Sequence, residues 1–174
     1  QVHFCIGGES VALYSDDLYT MAVLDGVLGS GMSSRLFQEV RERRGLAYAI
    51  GSYNLSYTSG GLFTIYGGTG ADKWEQVQEI VLAELKKVVH EGLQEGELQR
   101  VKQQLSGNIV LSLEGMSARM MRMTKNELYH GRDIPVDETL AKVAAVQESR
   151  MRELAEQLLA PDRLRVTAIG PFAA

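Results

Sequence analysis

The chain has 174 residues, 45% of them hydrophobic, with a net charge of −4, which suits one domain with a substantial core. The absence of a basic excess removes the electrostatic footprint of nucleic-acid binding. No apolar run reaches the ~18–20 residues of a membrane span, and the single cysteine, Cys5, excludes an internal disulfide.

Val2, Phe4 and Ile6 alternate with His3 and Cys5. This is strand periodicity, with Gly7 and Gly8 as the expected end. Cys5 within it reads as a small core residue. Ser15 or Asp16 then offers an N-cap for a helix through Leu28. That helix is apolar nearly all round and is expected to be deeply buried. Gly26 inside it suggests close packing on another backbone.

Gly29 to Tyr53, GSGMSSRLFQEVRERRGLAYAIGSY, is the most informative stretch. Ser33 or Ser34 can cap a short helix, because a serine oxygen can accept an orphan backbone N–H. Leu36, Phe37 and Val40 give it an apolar stripe. Arg41, Arg43 and Arg44 crowd its last turn, where positive charge suits the helix dipole. Gly45 stands where a C′ glycine ends a helix, and Tyr48 follows at the mouth of the next strand. Arg41 and Tyr48 can meet only if that strand folds back beside the helix end.

Residues 47–57 and 61–66 read as an antiparallel hairpin joined through Thr58, Ser59 and Gly60. Asp72 and Glu75 resemble a capping box. It opens a long helix with Trp74, Val77, Val81, Leu85 and Val88 on one face, stopped at Gly92. A second long helix from about Glu95 presents Leu98, Val101, Leu105 and Ile109. A third spans about Ser117 to Tyr129. Pro135 opens a fourth with Leu140, Val143 and Val146, and a last helix with Met151, Leu154, Leu158 and Leu159 stops at Pro161. Leu164, Val166 and Ala168 alternate in a closing strand. Strands at both ends with helices between predict an α+β fold, a mostly antiparallel sheet with helices packed on it.

Few residues suggest chemistry. Gly68-Thr69-Gly70 imitates a dinucleotide fingerprint, but Lys73 holds the third glycine position, so it reads as a turn. Glu127 and His130 have di-iron spacing without the second motif such a site needs, and read as an exposed pair. His90 suits a helix C-terminus and His3 a structural or solvent-facing place. Three scattered histidines predict no metal site in this chain. Met116, Met120, Met121 and Met123 are expected to be core filler, and Ser30, Ser33 and Ser34 turn or cap residues. Arg41 and Tyr48 read either as an ordinary dipole-pairing arginine and strand aromatic or as a functional pair.

The segment SSRLFQEVRERRGLAYAIGSY resembles the C-terminal half of the pitrilysin/insulinase family of zinc metallopeptidases, which includes the mitochondrial processing peptidases. The likeness extends to the opening strand QVHFCIG, the buried helix, the hairpin, the helix pair with EGELQRVKQQLSGNIVLSLEG, and the closing strand ending at Gly170. The family's arginine and tyrosine, separated by six residues, match Arg41 and Tyr48, with Phe37 four residues before the arginine. The resemblance implies that residues 1–174 are one domain, the substrate-binding half of a two-half peptidase. Arg41 and Tyr48 would contact the substrate carbonyl and the tetrahedral intermediate, and Phe37 would line the substrate site. The zinc ligands, in an H-x-x-E-H motif absent from this sequence, would lie in a missing N-terminal half. Zn2+ would thus belong to the full-length protein, with no cofactor held here.

Expected partners are that N-terminal half, a peptide substrate, and a possible homo- or heterodimer partner. The expected location is cytoplasmic. The alternative is a non-catalytic family member serving as a substrate-binding or scaffold subunit. A reading outside peptidases is a dimerisation module that uses the sheet or the methionine-rich helix.

Overall fold

The computed structural model describes residues 1–172. Among them the strands β1 (Val2–Ser10), β2 (Ala47–Tyr57), β3 (Gly60–Thr69) and β4 (Arg165–Ile169) form one sheet in the order β2-β3-β1-β4. Every pairing is antiparallel. The helices are α1 (Leu18–Leu28), α2 (Trp74–His90), α3 (Glu97–Ser112), α4 (Met116–His130), α5 (Val136–Ala145) and α6 (Glu148–Leu158), with a π-helical segment over Phe37–Glu42. The α+β expectation holds.

Period-two alternation divides the sheet into two unlike faces. Val2, Phe4, Ile6, Phe63 and Ile65 point inward and are buried. They meet Met21, Val23, Leu24, Val27 and Leu28 of α1, which exposes none of its residues. Val77, Val81, Leu85 and Val88 of α2, with Met151 and Leu154 of α6, complete the core. On the other face Cys5, Tyr53, Leu55, Tyr57, Leu62 and Tyr66 are exposed, and no element of the described chain covers them.

Several local expectations need correction. β1 runs through Gly7 and Gly8 to Ser10. A Cβ at Gly7 would sit 2.3 Å from the Phe63 carbonyl oxygen, so this glycine permits close strand approach and does not end the strand. Cys5 is exposed, because it shares a face with Tyr66 and Thr167 across the ladder. Helix α1 starts at Leu18 with no side-chain cap. The Ser15 hydroxyl accepts the Asp17 N–H instead, and Asp17 itself pairs with Arg150. Gly68 and Thr69 lie within β3, where the Thr69 hydroxyl donates to the Leu46 carbonyl at 2.5 Å. Gly26 does permit close packing, but on a side chain and not on a backbone: a Cβ there would lie 2.6 Å from Cγ1 of Val101 in α3.

The methionines are the largest departure. Met116, Met120, Met121 and Met123 are all exposed. Amphipathic spacing identifies a face but not what covers it, and here no described element does.

Candidate functional site

The site is built on the stretch from Gly29 to Tyr53. At its start, the Gly29 and Ser30 N–H groups close on the Asp25 carbonyl at 2.9 and 3.0 Å. The Ser34 hydroxyl donates to the Gly31 carbonyl at 2.6 Å, and the Ser33 hydroxyl donates to Gln104. Neither serine caps the helix as expected. Both hydroxyls are used as donors to brace the turn.

Arg35 then enters the interior, a residue that sequence reasoning passed over. Its Nε and Nη2 donate to the two carboxylate oxygens of Glu97 at 2.9 and 2.6 Å, and Nη2 also donates to the Gly92 carbonyl at 2.9 Å. The pair ties the start of the helical stretch to the α2–α3 loop. The only sequence signals were an arginine directly before an apolar stripe and a loop bracketed by two glycines, Gly92 and Gly96, which the structure places at positive φ.

The helix expected here is π-helical over Phe37–Glu42. The Arg43 N–H reaches back five residues to the Gln38 carbonyl, at 2.9 Å. Gly45 closes the segment at φ +59, its N–H bonding the Arg41 carbonyl while Leu46 N–H bonds that of Val40. Such one-residue insertions recur at functional sites, because they turn side chains away from the ordinary helical face. The three arginines separate accordingly. Arg43 and Arg44 both pair with Glu39. Arg41 stays exposed, its guanidinium stacked 4.9 Å from the Phe37 ring centroid and its nearest carboxylate, Glu42, at 4.0 Å. Leu36 and Val40 are buried, whereas Phe37 is half-buried.

The π segment packs on β2. At the start of that strand Ala47 pairs with Thr69 and Ala49 with Gly68, which leaves Tyr48 as the extra residue of a bulge. Bulges re-aim side chains and are common beside active sites. Tyr48 is 74% exposed, and its hydroxyl has no hydrogen bond to any described residue. No hydrogen bond joins it to Arg41. Tyr48 and Tyr66 line a depression of about 390 Å³ together with His3, Cys5, Thr167 and Ile169.

Among the described residues no group of three or more His, Cys, Asp or Glu converges as a metal site. The described helices include none long and apolar enough to cross a membrane. His90, Glu127 and His130 are exposed, His130 lying edge-on to Tyr14.

Residues 1–105 match the family described as "Peptidase M16 inactive domain". The chain belongs to this family. It is 41% identical over 162 residues to the "Uncharacterized zinc protease YmxG" of Bacillus subtilis (strain 168), covering 93% of this chain but 40% of that protein. The chain therefore spans well under half of the length of that relative. A protease from Helicobacter pylori has the same fold, with a TM-score of 0.87 at 19% identity, over 98% of this chain and 41% of that one. The inactive peptidase domain of a Bordetella parapertussis zinc protease aligns over 99% of this chain and 94% of its own, with a TM-score of 0.82 at 13% identity.

One titratable group of this M16 domain behaves unusually. Burial pushes the Asp25 carboxyl above the ordinary aspartate range, against the lowering effect of the Ser52 hydroxyl, which donates to Asp25 Oδ1 at 2.5 Å. A raised folded-state pKa means that the folded form binds the proton more tightly than the unfolded chain. Stability from this group is therefore greatest below the ordinary aspartate pKa and falls as pH rises through the raised value. Asp25→Asn keeps an acceptor for Ser52 and removes the charge. The variant should melt higher than the parent at neutral pH and equal to it near pH ~3, below the reference value. A lower melting temperature at neutral pH would contradict this account.

Proposed function

We propose that residues 1–174 are the substrate-binding half of a zinc endopeptidase whose metal site lies elsewhere in the same polypeptide. The observation that carries this reading is the presence on one stretch of a re-aimed Tyr48, whose hydroxyl bonds to no described residue, and of Arg41, the one arginine of its cluster that Glu39 does not hold. The zinc-protease name of the 41% identical relative supports it, as does its greater length.

In this reading the uncovered sheet face around Tyr53, Leu55 and Tyr66 forms one wall of the substrate chamber. An extended or unfolded peptide would lie against it, with Phe37 contributing apolar contact. Arg41 and Tyr48 would meet the scissile carbonyl. The arginine brings permanent charge and a fork of donors. The tyrosine hydroxyl can donate to the oxyanion as the carbonyl becomes tetrahedral. Zinc, held by the other half, would supply the activated water. In this reading the chain's own part is binding and transition-state stabilisation.

The test uses the intact polypeptide and an unstructured reporter peptide. Hydrolysis should be abolished by a chelator and restored by Zn2+, and residues 1–174 alone should show no turnover. Chelator-insensitive hydrolysis, or a zinc-loaded polypeptide that binds peptides without cutting them, would defeat the peptidase reading; the latter would point to a scaffold or binding subunit.

A further inference from the structure

The depression beside Tyr48 has an opening that the fold itself does not require. Next to the bulge, the ladder sets Ala49, Gly68, His3 and Ile169 side by side on the uncovered sheet face. Tyr66 and Cys5 stand in the neighbouring row. Two glycines of β3 lie here, and they differ. A Cβ at Gly67 would sit 2.5 Å from the Phe4 ring and 3.0 Å from the Ala49 carbonyl oxygen, so packing demands that glycine. A Cβ at Gly68 would meet only the His3 ring, at 3.6 Å, an ordinary contact. Gly68 is not at positive φ either. Glycine weakens a strand interior, and its presence there often marks close approach by a ligand or another backbone. At Gly68 the missing side chain lets the depression of about 390 Å³ reach down to the backbone of β3.

The side chains around it are braced. Tyr66 leans across Gly51, where a Cβ would come within 3.0 Å of the tyrosine oxygen, and its ring centroid lies 5.8 Å from that of Tyr53. Among the described residues lining the depression, none is Asp, Glu, Lys or Arg. A charged guest would lose its water there without gaining a counter-charge, whereas an apolar guest gains by leaving water.

We propose that Gly68 opens a specificity subsite: the depression between Tyr48, Tyr66, His3 and Ile169 takes one bulky, uncharged side chain of the peptide substrate, aromatic or branched aliphatic, within two residues of the scissile bond. The inference deepens the peptidase reading and rests on it. Tyr48 fixes the position, since it lines the depression and, in that reading, addresses the scissile carbonyl. Successive side chains of an extended peptide point to opposite sides, so a residue beside that carbonyl turns toward the sheet face. The space suits a single side chain; a helix about 10 Å across would not enter it.

The intact polypeptide would be given reporter peptides that differ at single positions around the scissile bond, with Phe, Leu, Ala, Lys or Glu there. One position within two residues of that bond should favour Phe or Leu over Ala by at least ~10-fold in kcat/KM, the usual reach of a hydrophobic pocket. Gly68→Val fills the space with a residue that suits a strand. It should cut that preference at least ~10-fold, at that position and at no other. Absence of the preference, or a preference that Gly68→Val leaves intact, overturns the inference.

A second readout needs neither turnover nor a variant. Cys5 lines the depression and is exposed, so an occupant should slow its alkylation by iodoacetamide, followed by mass spectrometry. A chelator would be present so that the peptide is not consumed. The Phe peptide should protect Cys5 at a concentration at least ~10-fold lower than the Ala peptide needs. No protection by the Phe peptide overturns the inference. A thiol already shielded without peptide also overturns it: shielding at every protein concentration assigns the depression to the polypeptide's own cover, and shielding that grows with concentration assigns it to a second copy. Protection by the Phe peptide without any hydrolysis would leave the subsite standing and end the peptidase reading. Zinc-dependent hydrolysis without protection of Cys5 would do the reverse.

Discussion

Tyr48→Phe in the intact polypeptide should lower turnover by roughly a hundred- to thousand-fold, the usual loss on removing one oxyanion donor, about 2.7–4 kcal/mol. The melting temperature should not change. Tyr48 is exposed on a bulge and its hydroxyl bonds to no described residue, so the folded state has nothing to lose with it. KM should move little, because in the proposed role the hydroxyl would interact most strongly once the carbonyl oxygen carries charge.

Arg41→Lys probes the other contact. It keeps the charge and removes both the planar fork and the stack on Phe37. Its stability cost should stay within the ~0.5–1 kcal/mol of an exposed cation–π contact, while turnover falls well beyond that equivalent. A purely structural role predicts the opposite pattern, with a lower melting temperature and turnover nearly intact. Unchanged turnover in both variants would sink the catalytic assignment.

The largest stability effect should come from Arg35 and Glu97. Both are buried and bonded in parallel, so Arg35→Met or Glu97→Leu alone strands an uncompensated charge. Each should cost about 3–5 kcal/mol. Replacing both at once removes that charge, and the double variant should recover most of the loss in chemical denaturation. A simple sum of the two single effects would show that the pair is not coupled as the geometry implies.

Acid should expose the same pair. Burial alone would raise the Glu97 pKa. Hydrogen bonds from Arg35 and the Gln94 N–H, with the Arg35 charge, outweigh it and hold the carboxyl below the ordinary glutamate range. A depressed folded-state pKa means stability that is present above the unfolded value and lost as pH falls through the folded one. The gap in stability between the parent and Glu97→Gln should therefore narrow on acidification. A gap that widens would reverse the assignment.

Much of this was legible in the chain itself. Alternation in β1, the apolar wrap of α1, the face of α2 and the stop at Gly45 follow from local periodicity and local stereochemistry, which act over a few residues. The LFQEVRERRGLAY segment identified the family because it carries several such local constraints in a fixed order. What the chain alone could not show depends on partners distant in sequence. Arg35 and Glu97 are 62 positions apart, and nothing near either predicts a buried pair. Phe37, Arg41, Arg43 and Arg44 look like one ordinary helix face until the π segment re-aims them and Glu39 takes two of the arginines. The methionines of α4 carry the period of buried residues, yet face outward, and Cys5, in the alternate phase of β1, lies on the sheet face that no described element covers. Periodicity decides which residues share a face; only tertiary packing decides which face is covered, since burial belongs to the contact between elements and not to either element alone.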